Sequence, residues 1–562
     1  MSANDAAPAR DQEPDGRSSL DQACAAWRLL LGDERLADDE ATLGAYANTT
    51  LPRGTKPAAV MWPTSSDEVA AIVRIARRYG QALYPISRGR NWGYGDACAA
   101  SDDQVIVDLS RMDRIVEVDS ALAYAVIEPG VTQGQLAAYL RDRGLPLWLD
   151  CTGAGPETSL VGNVLERGFG HTPYGNRSLG ISGLEVVLGS GERLRSGFGH
   201  YDDAKAARLY PAGVGPALDG LFAQSSMGIV TQMGLWLMPK PESFCLFIGL
   251  VQKRERIAPV VEALRRLRQD GTLRSVVHIG NDLRALSASL KDPAERAELP
   301  HPLPADLREA LRKKHGLAAW ALSGGLYGRK DQVAAARRVL RRELGGAGCR
   351  LIFVGPRKLA LAEGATQGLS VLGLGSRLRS QVETLRAVYD LHTGRPNGYF
   401  LKGAYWRLRA GAPARPDDAL NPGADGCGLA WVSPVLPMTG EAVKEVEQIV
   451  ERVFAEHGFD PFMTFSAVNE RALGGIINVA YDKHDAGETE RAEACRRALL
   501  KALMAAGYPP YRAGIADMAA LEQGSDSFWE TVSRLKSALD PDGVIAPGRY
   551  DPQGLTARNA KA

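Results

Sequence analysis

Apolar and polar positions in the first 150 residues follow two different periods. Apolar residues recur at helical spacing in LDQACAAWRLLLG, SSDEVAAIVRIARRYG and TQGQLAAYLRDRG, whereas AAVMWPT, QVIVDLS, IVEVD and YAVIEPGVT are short runs typical of strands. The stretch LGISGLEVVLGSGERLRSG predicts a hairpin with its turn at Ser190 and Gly191. This close succession of strands and helices predicts an α+β unit.

The pattern changes around residues 239–241, where we place a domain boundary. From residue 242 to about 504, the strand-like runs FCLFIGLV, AAWALSGGLYG, GLAWVSPVLP and GGIINVAYD alternate with long helical patterns such as RIAPVVEALRRLRQ and EAVKEVEQIVERVFAEHG. This alternation predicts a second domain in which a sheet carries helices on one face. The final segment contains YPPYRAG, a predicted helix over residues 526–538 and LDPDGVIAPGRYDP.

Two glycine-rich loops are candidates for contact with a ligand. The first is YPISRGRNWGYG, residues 84–95, between a helical pattern and an apolar run. Such a loop lets the backbone approach a ligand, and its N–H groups can hold an anion such as a pyrophosphate, although a plain surface loop has a similar composition. The second loop, residues 151–175, contains six glycines together with Asn163. There too, backbone donors would meet a cofactor.

Composition excludes several classes of protein. A chain of 562 residues exceeds the usual size of a single core, and its apolar fraction of 45% and charged fraction of 24% are those of an ordinary globular protein. The net charge of +1 does not indicate a nucleic-acid or membrane partner, and no apolar run reaches the roughly 18 residues of a membrane span. Seven scattered cysteines without a CxxC pair predict reduced thiols, a cytoplasmic protein and no zinc site. Residues 1–19 are polar and predict a disordered tail.

Together, eight segments resemble the vanillyl-alcohol oxidase and p-cresol methylhydroxylase family of flavoproteins. They are SRGRNWGYG, YAVIEPGVT, LWLD, GNVLERGFGHTPYG, LEVVLGSGERLRSG, LFAQSSMGIVTQMGLWLMP, YPPYRAG and LDPDGVIAPGR, in family order over nearly the whole chain. The resemblance implies a two-domain α+β flavoprotein of the p-cresol methylhydroxylase (PCMH) type. Its FAD-binding domain would be discontinuous, with residues 20–240 and 505–562, and residues 241–504 would form a cap whose antiparallel sheet is covered by helices.

The same resemblance implies FAD as the cofactor. Two phosphates need several convergent N–H donors with little side-chain bulk, which the glycine loops can supply. The implied cofactor-binding residues are Ser87, Arg88, Gly89, Arg90, Asn91, Gly93, Gly162, Asn163, Gly228, Ile229, Val230 and Arg549. For Gly162 and Asn163, a turn that only such residues tolerate is the alternative.

Covalent attachment of the flavin is not expected. Members with covalent flavin use a His or Tyr just before the cap strand, where this chain has Leu429 and its neighbours. No His or Tyr lies between residues 407 and 456, which favours non-covalent FAD. A link through Cys427 is the alternative.

Three residues match the family's phenol-binding set, namely Tyr94, Tyr511 and Arg512. A phenolate oxygen is a small anion, which two tyrosine hydroxyls and a guanidinium stabilise by charge-assisted hydrogen bonds. The resemblance therefore implies oxidation of a phenolic or benzylic-type substrate, with hydride transfer from the para benzylic carbon to the flavin and formation of a quinone methide. Packing and a salt bridge are the alternative roles for Tyr511 and Arg512.

The chain departs from the family at its acid and histidine positions. The segment that holds the catalytic carboxylate of the oxidases is CTGAGPETSLVGN here, where Glu157 is the available acid. Glycines at positions 474–475 replace a histidine pair, so Glu470 and Asp425 are further candidates for a general base. A turn or helix cap is the alternative role for Glu157, and His171 is expected to be structural.

Three functions fit these observations. The first is FAD-dependent oxidation of a phenolic or related benzylic carbon, in a substrate that differs from simple alkylphenols. The second keeps the flavin but takes an aliphatic alcohol or hydroxy acid, whose carboxylate Arg512 would bind. The third is flavin binding without turnover, which the retention of Tyr94, Tyr511 and Arg512 disfavours. The electron acceptor stays open between O2 and a protein, and the resemblance implies that a homodimer can form.

Overall fold

The computed structural model describes residues 18–290, 296, 298–371, 376–409, 411–522 and 527–551. Ser18 caps the first helix, so the last two residues of the predicted tail belong to a helical element, and residues 1–17 lie outside the described part. The helices are α1 (Ser19–Leu31), α2 (Glu40–Ala47), α3 (Ser66–Tyr79), α4 (Gln133–Asp142), α5 (Leu160–Leu165), α6 (Ile257–Gln269), α7 (Asp282–Ser289), α8 (Ala305–His315), α9 (Lys330–Gly346), α10 (Pro356–Val371), α11 (Ser376–His392), α12 (Gly440–His457), α13 (Ala486–Ala505) and α14 (Ser527–Leu539).

The first sheet places the glycine-rich loop at the carboxyl end of a parallel strand. Its strands, in spatial order, are β1 (Leu36–Ala37), β2 (Ala59–Met61), β4 (Val105–Asp108) and β3 (Leu83–Ile86). Strand β4 runs parallel to both β2 and β3, whereas β1 is antiparallel to β2. Ser65 caps the N-terminus of helix α3 and Gly80 its C-terminus, and the apolar stripe of the helix is buried in the core that it shares with α1. The loop follows β3 directly.

The second sheet is antiparallel and contains the predicted hairpin. Its strands, in spatial order, are β5 (Ile115–Asp119), β6 (Tyr124–Ile127), β10 (Gly228–Trp236), β8 (Ile181–Leu188) and β9 (Arg193–Arg195). Gly191 has a φ of +82° in the turn between β8 and β9, which confirms the hairpin. Helices α4 and α5 share a buried core with this sheet. Strands β7 (Leu147–Trp148) and β11 (Met238–Pro239) form a separate pair.

The last segment of the chain returns to the first sheet. Leu83 N–H donates to Val544 O, and Ala546 N–H donates to Leu83 O, both at 2.7 Å. The buried ammonium of Lys536 donates to the carbonyl oxygens of Ser226 and Ile545. On the basis of these contacts we propose the discontinuous FAD-binding domain with the boundaries given above.

The middle of the chain forms one eight-stranded antiparallel sheet, the cap sheet. Its strands are β12 (Ser243–Val251), β13 (His278–Asn281), β14 (Trp320–Gly328), β15 (Arg350–Val354), β16 (Cys427–Val432), β17 (Val435–Pro437), β18 (Phe462–Ala467) and β19 (Ala472–Asp482). The spatial order is β15-β12-β14-β13-β18-β19-β16, and β17 also pairs with β19.

Helices lie on both faces of the cap sheet, so the prediction of helices on one face was wrong. On β12, Phe247 and Val251 are buried in the core formed with α6, α9, α12 and α13. The alternate residue Leu246 points the other way and packs with Leu359 of α10 and Leu385 of α11. A strand that is buried on both faces has apolar residues at successive positions. The sequence of β12 has this pattern, which indicates burial on both faces of the sheet. On another part of the second face, Leu283 and Leu286 of α7 pack with Phe462 and Ala480. Gly474 of the same face lies against Phe169 of the N-terminal part of the chain.

Three further features are the state of the cysteines, possible groups of metal ligands and the length and polarity of the helices. All seven cysteines are free and buried. Within the described ranges, no group of His, Cys, Asp and Glu side chains is arranged to hold a metal ion. Of the helices among those residues, none combines the length and the apolar character needed to cross a membrane.

Candidate active site

The loop after β3 presents a run of backbone donors. Gly89 and Gly93 have φ values of +60° and +76°, the left-handed region that glycine adopts without strain. Gly93 N–H donates to Thr50 Oγ1 at 2.8 Å, and Tyr94 N–H donates to Asn91 O at 3.1 Å. By contrast, the amides of residues 88–92 have no acceptor within the part of the chain that the structure describes. Such a concave row of N–H groups is the arrangement that binds phosphate.

Two glycines bring this loop against its neighbours. A Cβ at Gly93 would lie 2.8 Å from the Trp431 ring of the cap sheet. A Cβ at Gly162 would lie 3.0 Å from Ser87 Oγ. The approach at Gly93 is closer than side-chain carbons allow, so glycine is needed there, whereas a side chain at position 162 would require Ser87 to shift by a few tenths of an ångström. The structure thus brings together Ser87, Gly93 and Gly162, three of the predicted cofactor-binding residues.

Four further predicted cofactor contacts, Asn163, Gly228, Ile229 and Val230, lie on regular elements. Asn163 follows Gly162 on α5 and accepts a hydrogen bond from Arg177 at 2.8 Å. Gly228 begins β10, and Ile229 and Val230 are buried where β10 pairs with β8.

Tyr94, Tyr511 and Arg512 lie together where the loop meets the cap sheet. The Tyr94 and Ser433 hydroxyls share a hydrogen bond, and the Arg512 guanidinium lies 4.3 Å from the centre of the Tyr94 ring. The Tyr511 ring centre lies 5.6 Å from that of Phe169. Burial raises the pKa of Tyr94 and raises that of Tyr511 well above its ordinary value. Both hydroxyls therefore stay protonated and can donate to an anionic oxygen.

One carboxylate, that of Glu166, pairs with two arginines from distant segments. Its Oε1 lies 2.5 Å from Arg549 Nη2, its Oε2 lies 3.3 Å from Arg512 Nε, and Tyr550 donates to it at 3.1 Å. Burial alone would raise the pKa of Glu166, but Arg549 and Arg512 hold it below its ordinary value. Sequence reasoning missed Glu166, since Arg549 is 383 residues away along the chain. Two cations share one anion, which leaves one positive charge for a ligand.

Unsatisfied donors on the two arginines mark the space that a ligand would fill. Arg549 Nη1 is buried and has no hydrogen-bond acceptor among the described residues. The same is true of Arg512 Nε, which lies near Glu166 without hydrogen-bond geometry. The other side of the Arg512 guanidinium donates to Asn91 of the glycine loop. Buried donors of this kind are costly unless a ligand accepts from them. The arrangement therefore fits a cofactor or substrate rich in oxygen acceptors.

The position of covalent attachment in relatives is apolar and buried in this protein. Leu429 packs in a cluster with Trp92 and Leu401. The Cys427 thiol at the start of β16 is also buried, and burial raises its pKa. A thiol that is held neutral is a poor nucleophile.

The acids predicted as general bases do not reach the tyrosine pair. Glu157 pairs with Arg88 at 2.9 Å and its side chain is 48% exposed. Glu470 lies on the turn between β18 and β19, where its side chain is 44% exposed. Asp425 accepts a hydrogen bond from Tyr405 at 2.5 Å. Glu157 and Glu470 each pair with an arginine and are partly exposed, and their role as the base stays a prediction.

Three histidines form a buried cluster next to Phe169. The ring centres of His171 and His278 are 4.3 Å apart, and those of His171 and His392 are 5.2 Å apart. His171 Nδ1 lies 2.8 Å from Cys151 O, a backbone contact that agrees with the expected structural role. Burial lowers the pKa of all three, and lowers it well below the ordinary value for His278 and His392. The three rings are therefore neutral near pH 7.

Comparison with known proteins identifies the family. The family model of an FAD binding domain matches residues 57–197. The chain is 39% identical to the 1'-carboxy-chondrochloren decarboxylase of Chondromyces crocatus, over 95% of this chain and 97% of the relative. It is 30% identical to the flavoprotein subunit of the hydroxylating 4-cresol dehydrogenase of Pseudomonas putida, over 95% of this chain and 96% of the relative. The chain belongs to the vanillyl-alcohol oxidase and p-cresol methylhydroxylase family.

A solved structure of the same family extends this likeness to the fold. The 4-ethylphenol oxidase of Gulosibacter chungangensis, in its isoeugenol complex, is 29% identical with a TM-score of 0.85, covering 96% of this chain and 98% of its own. The predicted α+β fold of the PCMH type is therefore confirmed. FAD is the cofactor of this family member, and the protein is an FAD-dependent oxidoreductase. The free amides of residues 88–92 and the unsatisfied Arg549 Nη1 fit that cofactor.

Replacement of Glu166 tests the shared ion pair. Glu166→Gln would leave two buried guanidiniums without an anion, and the expected loss is about 3 kcal/mol in the free energy of unfolding. Denaturant titration of the holoenzyme measures it. Glu470→Gln, at an exposed site, is the matched control and should change the free energy by less than about 0.5 kcal/mol. Equal effects of the two substitutions would contradict the assigned role of Glu166.

The histidine cluster predicts a loss of stability in acid. Below about pH 6.5 the unfolded chain binds protons that the three buried rings do not, so the free energy of unfolding falls as pH falls. His392→Gln should reduce that slope by about 1.4 kcal/mol per pH unit between pH 6.5 and the lowered pKa. Denaturant midpoints measured at several pH values test this. His200→Asn, which removes an exposed histidine, is the control, and an unchanged slope in His392→Gln would refute the prediction.

Proposed function

We propose that this flavoprotein oxidises a para-substituted phenol at its benzylic carbon. The observation that supports this most directly is the position of two neutral donors, the buried Tyr94 and the partly buried Tyr511, beside the permanent cation of Arg512. A phenol held by these three groups would lose its proton readily, because charge-assisted hydrogen bonds to the phenolate lower the pKa of the bound phenol. A substrate without an anionic oxygen, such as a simple aliphatic alcohol, would leave the two tyrosine hydroxyls and Arg512 without an acceptor of matching charge.

Each protein group has one task in this proposal. Glu166 and Asn91 orient the Arg512 guanidinium, and the surplus positive charge of the cluster attracts the phenolate. Electron density from the phenolate oxygen weakens the para benzylic C–H bond. Bound FAD supplies the two-electron acceptor for the hydride.

We propose that the FAD is held without a covalent bond. The amides of residues 88–92 would bind the pyrophosphate, and Ser87, Arg90, Gly162 and Asn163 would line the same space. Additional contacts would come from Gly93, from residues 228–230 at the start of β10, and from Arg549. Leu429 and the neutral Cys427 thiol support non-covalent binding.

A second candidate function concerns the fate of the oxidised substrate. Water can add to the benzylic carbon of a quinone methide to give an alcohol, or a proton can leave the adjacent carbon to give an alkene. If that adjacent carbon carries a carboxylate, its C–C bond can break instead. CO2 then leaves, the electron pair forms the new double bond, and no further oxidant is needed. The decarboxylase from Chondromyces crocatus, at 39% identity, favours this fate for a substrate that carries an acid group.

Acid precipitation tests the mode of FAD attachment. The yellow holoenzyme is expected to release all of its flavin into the supernatant, which an absorption spectrum measures. Flavin retained in the pellet would contradict non-covalent binding. Cys427→Ala would then show whether the thiol is the point of attachment.

Anaerobic mixing with 4-alkylphenols tests the substrate class. The visible flavin absorbance of the wild type should bleach, and Tyr511→Phe should slow the bleaching by about 10- to 100-fold, because a hydrogen bond to a charged oxygen is lost. Tyr174→Phe, at an exposed tyrosine, should leave the rate unchanged. Bleaching by hydroxy acids and by no phenol would support the aliphatic alternative instead. Admission of air then distinguishes O2 from a protein as electron acceptor.

A further inference from the structure

A cation beside the cap sheet lacks an acidic partner. Arg284, in the first turn of α7, donates from Nε to Thr464 Oγ1 at 3.2 Å and from Nη1 to Asn478 Oδ1 at 3.4 Å. Both acceptors are neutral, and no Asp or Glu of the described residues pairs with Arg284. Burial lowers the pKa of Arg284 to about 10, with no carboxylate to oppose that effect.

Several other guanidiniums in the interior of this protein are paired with carboxylates. Arg177 pairs with Asp150 at 2.8 Å, and Arg407 pairs with Glu488 at 2.7 Å. A charge removed from water without a partner costs several kcal/mol, so an unpaired arginine lowers the stability of the fold. Natural proteins retain such local conflicts mainly at functional sites, where a ligand completes the interaction.

Arg284 is surrounded by protein but is not fully covered by it. Its neighbour Thr464 and the nearby Ile476 and Trp431 also retain accessible surface. Residues that alternate with them on the same strands, such as Met463 and Ile477, are completely buried against the helices of the other face. Thr464, Ile476 and Trp431 share one face of the cap sheet, and their accessible surface leaves a space beside Arg284 on that face.

The tyrosine pair lies along the same face of the cap sheet. Along β19, a Cβ at Gly474 would lie 3.2 Å from Phe169, whose ring packs on Tyr511. Asn478, on the same face of β19, is about 13 Å further along the strand. Asn478 is also the direct partner of Trp431 on β16, and the Trp431 ring lies 5.5 Å from that of Tyr94.

We propose that Arg284 binds a carboxylate at the end of the substrate opposite the phenolate. The inference rests on the proposed function, and it identifies the substrate class as a phenol whose para chain ends in an acid. A guanidinium recognises a carboxylate through parallel N–H donors, and Arg284 has N–H groups to spare after its bonds to Thr464 and Asn478. A neutral alkyl chain would cover the same cation without pairing it, and would therefore bind less well.

Equilibrium binding of two unreactive analogues tests this inference on the holoenzyme. The analogues are 4-hydroxyphenoxyacetate and 4-isobutoxyphenol, which have nearly the same shape and no benzylic C–H bond. Calorimetry should show tighter binding of the acid to the wild type. Arg284→Met should weaken binding of the acid by about 10- to 100-fold and leave the neutral analogue nearly unchanged, because a charge-assisted contact is lost.

A second variant neutralises Arg284 without removing it. Asn478→Asp would place a carboxylate next to the guanidinium, which preserves a paired interior and should abolish the preference for the acid. Arg268→Met is the control for loss of a buried cap arginine, because Arg268 donates to the carbonyl oxygens of Asn469 and Ser275 and to no group of this space. It should change neither affinity.

The outcomes separate this inference from the proposed function. If the wild type binds the neutral phenol and shows no preference for the acid, Arg284 does not bind a carboxylate and the proposed function stands. Loss of flavin from both Arg284→Met and Asn478→Asp, with analogue binding otherwise equal, would assign the cation to the cofactor and overturn the inference. If neither phenol binds to the wild type, the proposed function itself fails.

Discussion

The organisation of this active site depends on a single buried carboxylate. Glu166 lies within the second glycine-rich loop, whereas its partners Arg512 and Arg549 lie after the cap sheet and near the end of the chain. The ion pairs therefore join three stretches that are far apart in sequence. Because two guanidiniums share one anion, the same contact that stabilises the assembly also leaves positive charge where an anionic oxygen can bind. Fold stability and substrate affinity are thus properties of one interaction.

A second constraint is the distance between the glycine loop and the cap sheet. At Gly93 the backbone comes so close to Trp431 that no side chain fits between them. Trp431 in turn packs edge-on against Tyr94, which fixes the tyrosine ring relative to the sheet. The cluster of Tyr94, Tyr511 and Arg512 therefore lies where the glycine loop meets the cap sheet, and a shift of either would disturb the hydroxyl positions. This explains why a loop with the composition of a surface turn is instead a partly buried element.

The sequence predicted the parts of this structure that are encoded locally. Helix α3, the β8–β9 hairpin and the glycine loop were evident because caps, turns and periodicity are short-range signals. Strands β13 and β18 were missed, since each is short and lies within a longer irregular stretch. The packing of α10 and α11 on the second face of the cap sheet could not be inferred from helical periodicity, which does not specify the partner of an apolar stripe.

The candidate site shows the same division. Tyr94, Tyr511 and Arg512 were found through a family motif, and the structure places them together. Glu157 was selected because it lies in the right segment, yet its side chain points to Arg88 at the surface. Glu166 and Arg284 have no local signature, because their importance comes from partners that the fold supplies: a second cation for Glu166 and the lack of an anion for Arg284. An excess of positive charge depends on which residues are neighbours in the folded structure, and the sequence alone does not show it.

Two surplus cations along one face of the cap sheet have a consequence for turnover. A substrate with a phenolate and a carboxylate would neutralise both Arg512 and Arg284, and would be held at two points. If oxidation is followed by loss of CO2, the product no longer has the second anion. Arg284 is then left unpaired next to an apolar chain, which is unfavourable, so the product binds more weakly than the substrate. The positive charge of Arg284, which selects the acid, would in this way also favour release of the decarboxylated product. The C–C bond that breaks is the bond that joins the substrate to the carboxylate paired with Arg284.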